Sequence, residues 1–264
     1  MSDDSSAVME ELTECERQGV EPGFYGKLPS KGDFVTRRLP QNFVEAWDTW
    51  LQNGILTSQD RLGQDWLSVY MTSPIWRFAL SAGVGGRDVM TGVMMPSVDR
   101  VGRYFPLTVA VPLAACTSIA GLPKLGATWY EKTEEVALAA LADGAVFEDL
   151  DSRIQALGAP DFGDGAPQEL EQGPGASGLR VSVDPSQGFA PDYAGLAAHF
   201  INQLYPRYCL WWTAGSERVA PSMLVSPGLP SMGAFVAFLD GRWRESGWAG
   251  GVSGSDGDVL DGII

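Results

Sequence analysis

The chain has 264 residues, of which 45% are hydrophobic and 19% charged, and nine are tryptophan. Burying rings of that size offsets the conformational entropy that keeps polar chains unfolded, so a folded body that removes about 70–75% of its surface from water is expected. The formal net charge of −15 sets like charge against phosphate backbones and anionic lipid head groups, which argues against nucleic acid and membrane surfaces as partners.

Residues 1–21 are polar and acidic with little apolar periodicity and predict a flexible tail. Acidic residues stand where a secretory signal needs a basic region, and no apolar stretch approaches the ~20 residues that span a bilayer, so a cytoplasmic location without membrane insertion is expected. A first strand and a glycine- and proline-fixed turn precede Pro40. Beyond it Phe43, Ala46, Trp47, Trp50 and Leu51 follow the spacing of one helix face, and Leu62, Trp66, Val69 and Tyr70 predict a second helix. Ser73-Pro74 ends that helix, because proline disfavours helical geometry in the residue before it. Short runs of large or branched side chains at 76–82, 92–95 and 107–111 predict strands, with Gly83-Val84-Gly85-Gly86 as a hairpin turn. Residues 124–142 return to helical spacing. The stretch 158–178 is punctuated by glycine and proline and predicts a long internal loop between a larger N-terminal and a smaller C-terminal part.

Beyond the loop, strands are predicted at 179–183, 208–213 and 222–226, with a helix carrying Leu196, Phe200 and Leu204 between the first two and a short helix at 232–239. Trp211 and Trp212 end a strand, where alternation sends one ring to each face and leaves one as a candidate surface anchor. Residues 250–264, rich in glycine and aspartate, predict a second flexible tail. The expected architecture is α/β: a single-domain sandwich over 22–249 in which helices cover a mixed central sheet. Cys15, Cys116 and Cys209 are odd in number and far apart, and read as reduced thiols.

Two segments concentrate chemistry. In GFYGKLPSKGDFVTRR, from Gly23 to Arg38, the turn formers Gly26, Pro29 and Gly32 hold the polar residues between them in place. Lys27, Lys31, Arg37 and Arg38 sit beside a single acid, Asp33, a local reversal of sign that suits an acidic partner. The phosphate-loop pattern fails: no glycine stands five residues before Gly26, and Leu28 replaces the magnesium-holding hydroxyl. In MMPSVDRVGRYFPLTVAV, from Met94 to Val111, a turn with Asp99, Arg100, Gly102 and Arg103 presents two guanidinium groups at a strand end, with Asp99 able to orient one of them or simply to pin the turn. His199 is the one histidine of the chain, so a multi-histidine metal site is excluded and a histidine-based triad lacks support.

These segments, together with SPIWRFALSAG, LWWT and the Gly-Leu-Pro at Gly228, resemble the TagF (ImpM) family of type VI secretion-associated proteins. The resemblance runs from about Gly23 to Trp248. The family pattern falls on Gly26, Lys27, Pro29, Gly32, Asp33 and Phe34, and on Ser97, Asp99, Arg100, Gly102, Arg103, Phe105 and Pro106. It implies a single-domain α/β sandwich, no catalytic residues and no cofactor. It further implies a cytoplasmic post-translational repressor that binds a forkhead-associated scaffold, alone or with a separately encoded protein phosphatase. Two other readings stay open: a hydrolase or nucleotide-using enzyme in which Asp33, Asp99 and nearby arginines share a pocket, and a structural subunit of the secretion apparatus.

Overall fold

The structure is a computed structural model that describes residues 20–142, 144–161 and 193–250, with side chains in the last stretch from His199 onward. Nearly all of the tails expected at 1–21 and 250–264, most of the loop expected at 158–178, the strand expected at 179–183, and Cys15 lie outside the described residues.

Among the described residues seven strands form one sheet: β1 (Gly23–Gly26), β2 (Val35–Arg37), β3 (Trp76–Leu80), β4 (Val89–Met95), β5 (Leu107–Leu113), β6 (Cys209–Thr213) and β7 (Ser222–Ser226), in the order β2-β1-β5-β4-β3-β6-β7. Every pairing among them is antiparallel, which corrects the expected mixed sheet. Parallel neighbours need a crossover between adjacent strands. Here the two helical excursions, from β2 to β3 and from β5 to β6, join strands that are not neighbours, while β3–β4–β5 and β6–β7 reverse directly. The Gly83–Gly86 turn joins β3 to β4 as expected, with the Gly83 N–H donating to the Gly86 carbonyl at 2.7 Å.

Helices cover both faces. On one lie α1 (Gln41–Leu62) and α2 (Trp66–Met71), separated by a 3-10 turn, Gly63–Asp65. The apolar stripe of α1 turns Phe43, Trp47, Trp50, Leu51 and Ile55 inward, and Trp47 packs 4.6 Å from Phe78 and 5.9 Å from Trp211. The two indole nitrogens of this stripe are satisfied: Trp47 donates to Thr108 Oγ1 at 2.9 Å and Trp50 to the Pro230 carbonyl at 2.8 Å. On the other face, α3 (Leu122–Leu125), α4 (Ala127–Ala139) and α5 (Phe147–Ala156) place Trp129, Tyr130, Val136, Leu150 and Ile154 against Val93, Val109 and Trp212. The single helix expected at 124–142 is thus broken at Gly126, and α5 was not foreseen. Its Phe147, Leu150 and Ile154 lie at i, i+3 and i+7, a narrow stripe in an otherwise polar run.

The C-terminal part extends the same sheet. Helix α6 (Tyr193–Leu204) leads to β6, and two short helices, α7 (Met232–Phe235) and α8 (Ala237–Asp240), replace the one expected at 232–239 and pack beside α1. In α6 the residues turned to the core include Ile201, whereas Phe200 and Leu204, expected to be the apolar face, are exposed. Trp211 and Trp212 do point to opposite faces, but both are buried, because each face has its own helical layer. Cys209 is a buried free thiol, and Cys116 is disulfide-bonded, which corrects its reading as a reduced thiol; separation along the chain does not limit approach in space.

Candidate partner-binding site

The two chemistry-bearing segments meet at one end of the sheet. Strand β1 runs through Gly26, whose φ of 137° and closeness to β5 both require glycine: a β-carbon there would stand 2.0 Å from the Pro106 carbonyl oxygen. The chain then turns at Pro29 and Ser30, with the Lys31 N–H donating to the Leu28 carbonyl at 3.0 Å. The second segment is a tight excursion between β4 and β5. Val98 bridges to Tyr104, the Asp99 and Arg103 backbones pair at 3.0 Å, and Gly102 adopts a φ of 86°.

Side chains clip these turns together. The Ser97 hydroxyl donates to the Lys27 carbonyl at 2.7 Å, and the Arg100 N–H donates to the Lys31 carbonyl at 2.9 Å. Asp99 is the hub. Its Oδ2 accepts from Lys27 Nζ at 3.0 Å and from Arg103 Nε at 2.7 Å, and its Oδ1 accepts from the backbone N–H groups of Val101 at 3.0 Å and Arg103 at 2.9 Å. Arg103 Nη2 reaches on to the Gly32 carbonyl. Burial by itself would raise the pKa of Asp99. The hydrogen bonds from the Arg103 backbone, the Lys27 ammonium, the Arg103 guanidinium and the Val101 backbone outweigh it and hold the carboxyl well below the usual range.

This arrangement divides the candidate residues. Gly26, Lys27, Ser97, Asp99 and Phe105 are buried, and Lys27 retains only 5% of its surface. Pro29, Lys31 and Gly32 are half-buried, and Asp33, Phe34, Arg37, Arg100, Gly102 and Arg103 are exposed. Asp33 accepts only from its neighbour's backbone, Phe34 N at 2.8 Å, and stands in solvent while Asp99 is enclosed. Asp33 and Asp99 thus stand in different surroundings, one in water and one enclosed.

What the latch holds outward is an aromatic ring among cations. Phe34 is 42% exposed, stacked on Tyr25 at 5.8 Å and edge-on to Phe105 at 4.9 Å, with Lys27 Nζ 4.9 Å from its centroid. On the same turns the Arg103 side chain is 56% exposed, while that of Arg37, 50% exposed, pairs with Phe24 and lies on the opposite face of the sheet. The exposed Arg100 guanidinium lies across Gly32 within ordinary contact distance of where a β-carbon would stand. Lys31 and Arg37 both sit over the Phe147 ring, at 4.3 and 5.1 Å. Sequence reasoning missed Phe147 and Asp151, which anchors Arg38 through Oδ1 at 2.6 Å. Both belong to the unforeseen α5, and its apolar stripe is the signal that would have found them. Arg38 itself is held back by that pair, by the Pro22 carbonyl at 2.8 Å and by a strained φ of 55°.

Elsewhere, His199 lies on α6 and contacts Gln203 at 3.0 Å. Among the described residues no three His, Cys, Asp or Glu side chains cluster as a metal site, and no helix is long and apolar enough to cross a membrane.

Comparison with known proteins identifies the pattern. The family model of the TagF N-terminal domain, type VI secretion system-associated, matches residues 23–157. The crystal structure of PA0076 from Pseudomonas aeruginosa PAO1 is 40% identical in sequence, covers 92% of this chain and 100% of its own, and superposes with a TM-score of 0.71. The comparison with curated proteins gave no match.

Proposed function

We infer a function from one premise: the chain belongs to the TagF family of type VI secretion-associated proteins. It acts by binding rather than by catalysis, as a cytoplasmic post-translational repressor whose partner is a forkhead-associated scaffold of that secretion system. The observation that carries this reading is the exposed Phe34 ring on the same clipped turns as the exposed Arg100 and Arg103, on a body of net charge −15. An aromatic anchor rimmed by arginines is the composition of an interface hot spot, and its sign selects an acidic partner surface. The saturated carboxylate of Asp99 supports binding over catalysis, since both oxygens are already engaged by donors. A separately encoded protein phosphatase fits the same scheme as a second component.

The test is capture of the purified forkhead-associated scaffold from the same bacterium by the wild type and by Arg100→Glu and Arg103→Glu variants that remain folded. Binding should fall at least about tenfold in each variant, and secretion should rise in cells carrying them. Undiminished capture by both folded variants would sink the proposal.

A further inference from the structure

Among the described residues the sheet has two open edges of opposite character. At one, β2 spans only Val35–Arg37, ends on Arg37 and has Lys31 and Arg38 close by in sequence. Short strands and charges are how proteins keep an edge from pairing with a copy of itself. At the other edge lies β7, Ser222–Ser226, which among the described residues pairs with β6 alone. It is bounded by Pro221 and Pro227 but carries no charge of its own. From Val219 to Leu239 the sequence holds no charged residue at all, in a chain of net charge −15. Met223 is 57% and Val225 38% exposed, and the register places them beside Trp212 and Leu210 on one face of the sheet.

We propose that β7 is a self-association edge, at which a second copy of this chain adds its own β7 antiparallel about a two-fold axis through Leu224. Two arguments select this occupant. The first is the order of residues: Ser-Met-Leu-Val-Ser has the same pattern of polar and apolar positions in both directions. Antiparallel self-pairing centred on Leu224 therefore sets Ser222 opposite Ser226 of the other copy. On one face it sets each exposed Met223 against a Val225, so the edge is complementary to itself, as an isologous contact must be. The second is charge. Two bodies of net charge −15 repel wherever carboxylates are apposed, and this stretch brings them together without any. Pairing β7 to the β2 edge of another copy would be head-to-tail and would propagate as a filament, and Arg37 and Arg38 at that edge offer no apolar counterpart to Met223 and Val225.

Sedimentation of the full chain across the micromolar range tests this. The wild type should show a monomer–dimer equilibrium, and Val225→Lys should weaken it by at least about tenfold, because each new charge then faces the apolar Met223 of the other copy with no partner. If Val225→Lys fails to fold, Met223→Lys, at a more exposed position, makes the same test. A variant with both Met223→Cys and Val225→Cys should cross-link between chains on mild oxidation, since each thiol then faces its counterpart. A wild type that stays monomeric throughout overturns the proposal, as does a dimer indifferent to both lysine variants. A monomer whose Val225→Lys form loses capture of the scaffold also overturns it, and would assign the edge to a foreign strand.

Discussion

Lys27 Nζ and Asp99 Oδ2 meet at 3.0 Å across 72 residues of sequence, with 6% and 0% of their side chains exposed. Enclosed charges are tolerated only when every lone pair and proton is answered. Here Arg103 and two backbone N–H groups complete the shell of Asp99. Lys27→Met should therefore act on folding, lowering the melting temperature by at least about 5 °C, because it leaves an enclosed carboxylate short of a donor. Thermal unfolding followed by circular dichroism decides this. A melting temperature unchanged within a degree or so would mean that the pair does not hold the turns together.

Asp99 also gives the turns a pH dependence with a definite sign. Its carboxyl titrates well below the ordinary value of about 3.9, so the folded state binds fewer protons than the unfolded one around that pH. The stabilisation is fully present above the unfolded value and is lost as pH falls through the folded one. Stability of the wild type should decline from about pH 5 downward. Asp99→Asn should lower stability near neutrality and flatten the part of that decline owed to this group. An identical acid slope in wild type and variant would show that other carboxylates carry it.

Phe34 should separate binding from folding. With 42% of its surface in water, its replacement by alanine removes only part of an aromatic contact, and the fall in stability should stay near 1 kcal/mol. Loss of scaffold binding should exceed about 2 kcal/mol, roughly thirtyfold, if the ring is the anchor. Calorimetric titration beside thermal melts gives both numbers. Equal small effects on the two would reduce Phe34 to a minor contact.

Gly26→Ala tests the close approach of β1 to β5. The substitution places a methyl group 2.0 Å from a carbonyl oxygen at a φ of 137°, so either β1 moves away or the backbone is strained by about 1–3 kcal/mol or more. A drop in melting temperature is expected, together with weaker scaffold binding, because Lys27 follows directly. Gly102 makes the comparison: its φ of 86° also favours glycine, but nothing stands within 4 Å of a β-carbon there. Gly102→Ala should be the milder change, and the reverse order would contradict the packing argument.

Trp47 and Thr108 form a buried hydrogen bond at 2.9 Å between α1 and β5. Trp47→Phe keeps much of the ring but leaves Thr108 without that donor, at a cost of about 1–3 kcal/mol. In a Thr108→Val background the same substitution should cost less, because the unsatisfied oxygen is gone. Denaturant unfolding of the four proteins measures this coupling, and additive effects would show the bond to be unimportant.

The sequence by itself determined the elements whose information is local. The stripe of Phe43, Trp47, Trp50 and Leu51 gives α1, proline and glycine mark its surroundings, and branched runs give β3, β4 and β5, because helix and strand periods are written in consecutive residues. It likewise determined the two turn segments and their family resemblance. It missed β2, too short for an alternation to register, and α5, whose apolar stripe is narrow. Only the tertiary structure decided that the sheet is antiparallel, since strand direction depends on which non-consecutive strands become neighbours. It alone also sorted the cations: Lys27 passed inward to Asp99, Lys31 and Arg37 settled over the Phe147 ring, and Arg100 and Arg103 were left toward water. In sequence Lys27 and Lys31 look alike. Their difference arises when the Ser97–Phe105 turn folds over the first segment, and burial is a property of that encounter rather than of either stretch alone.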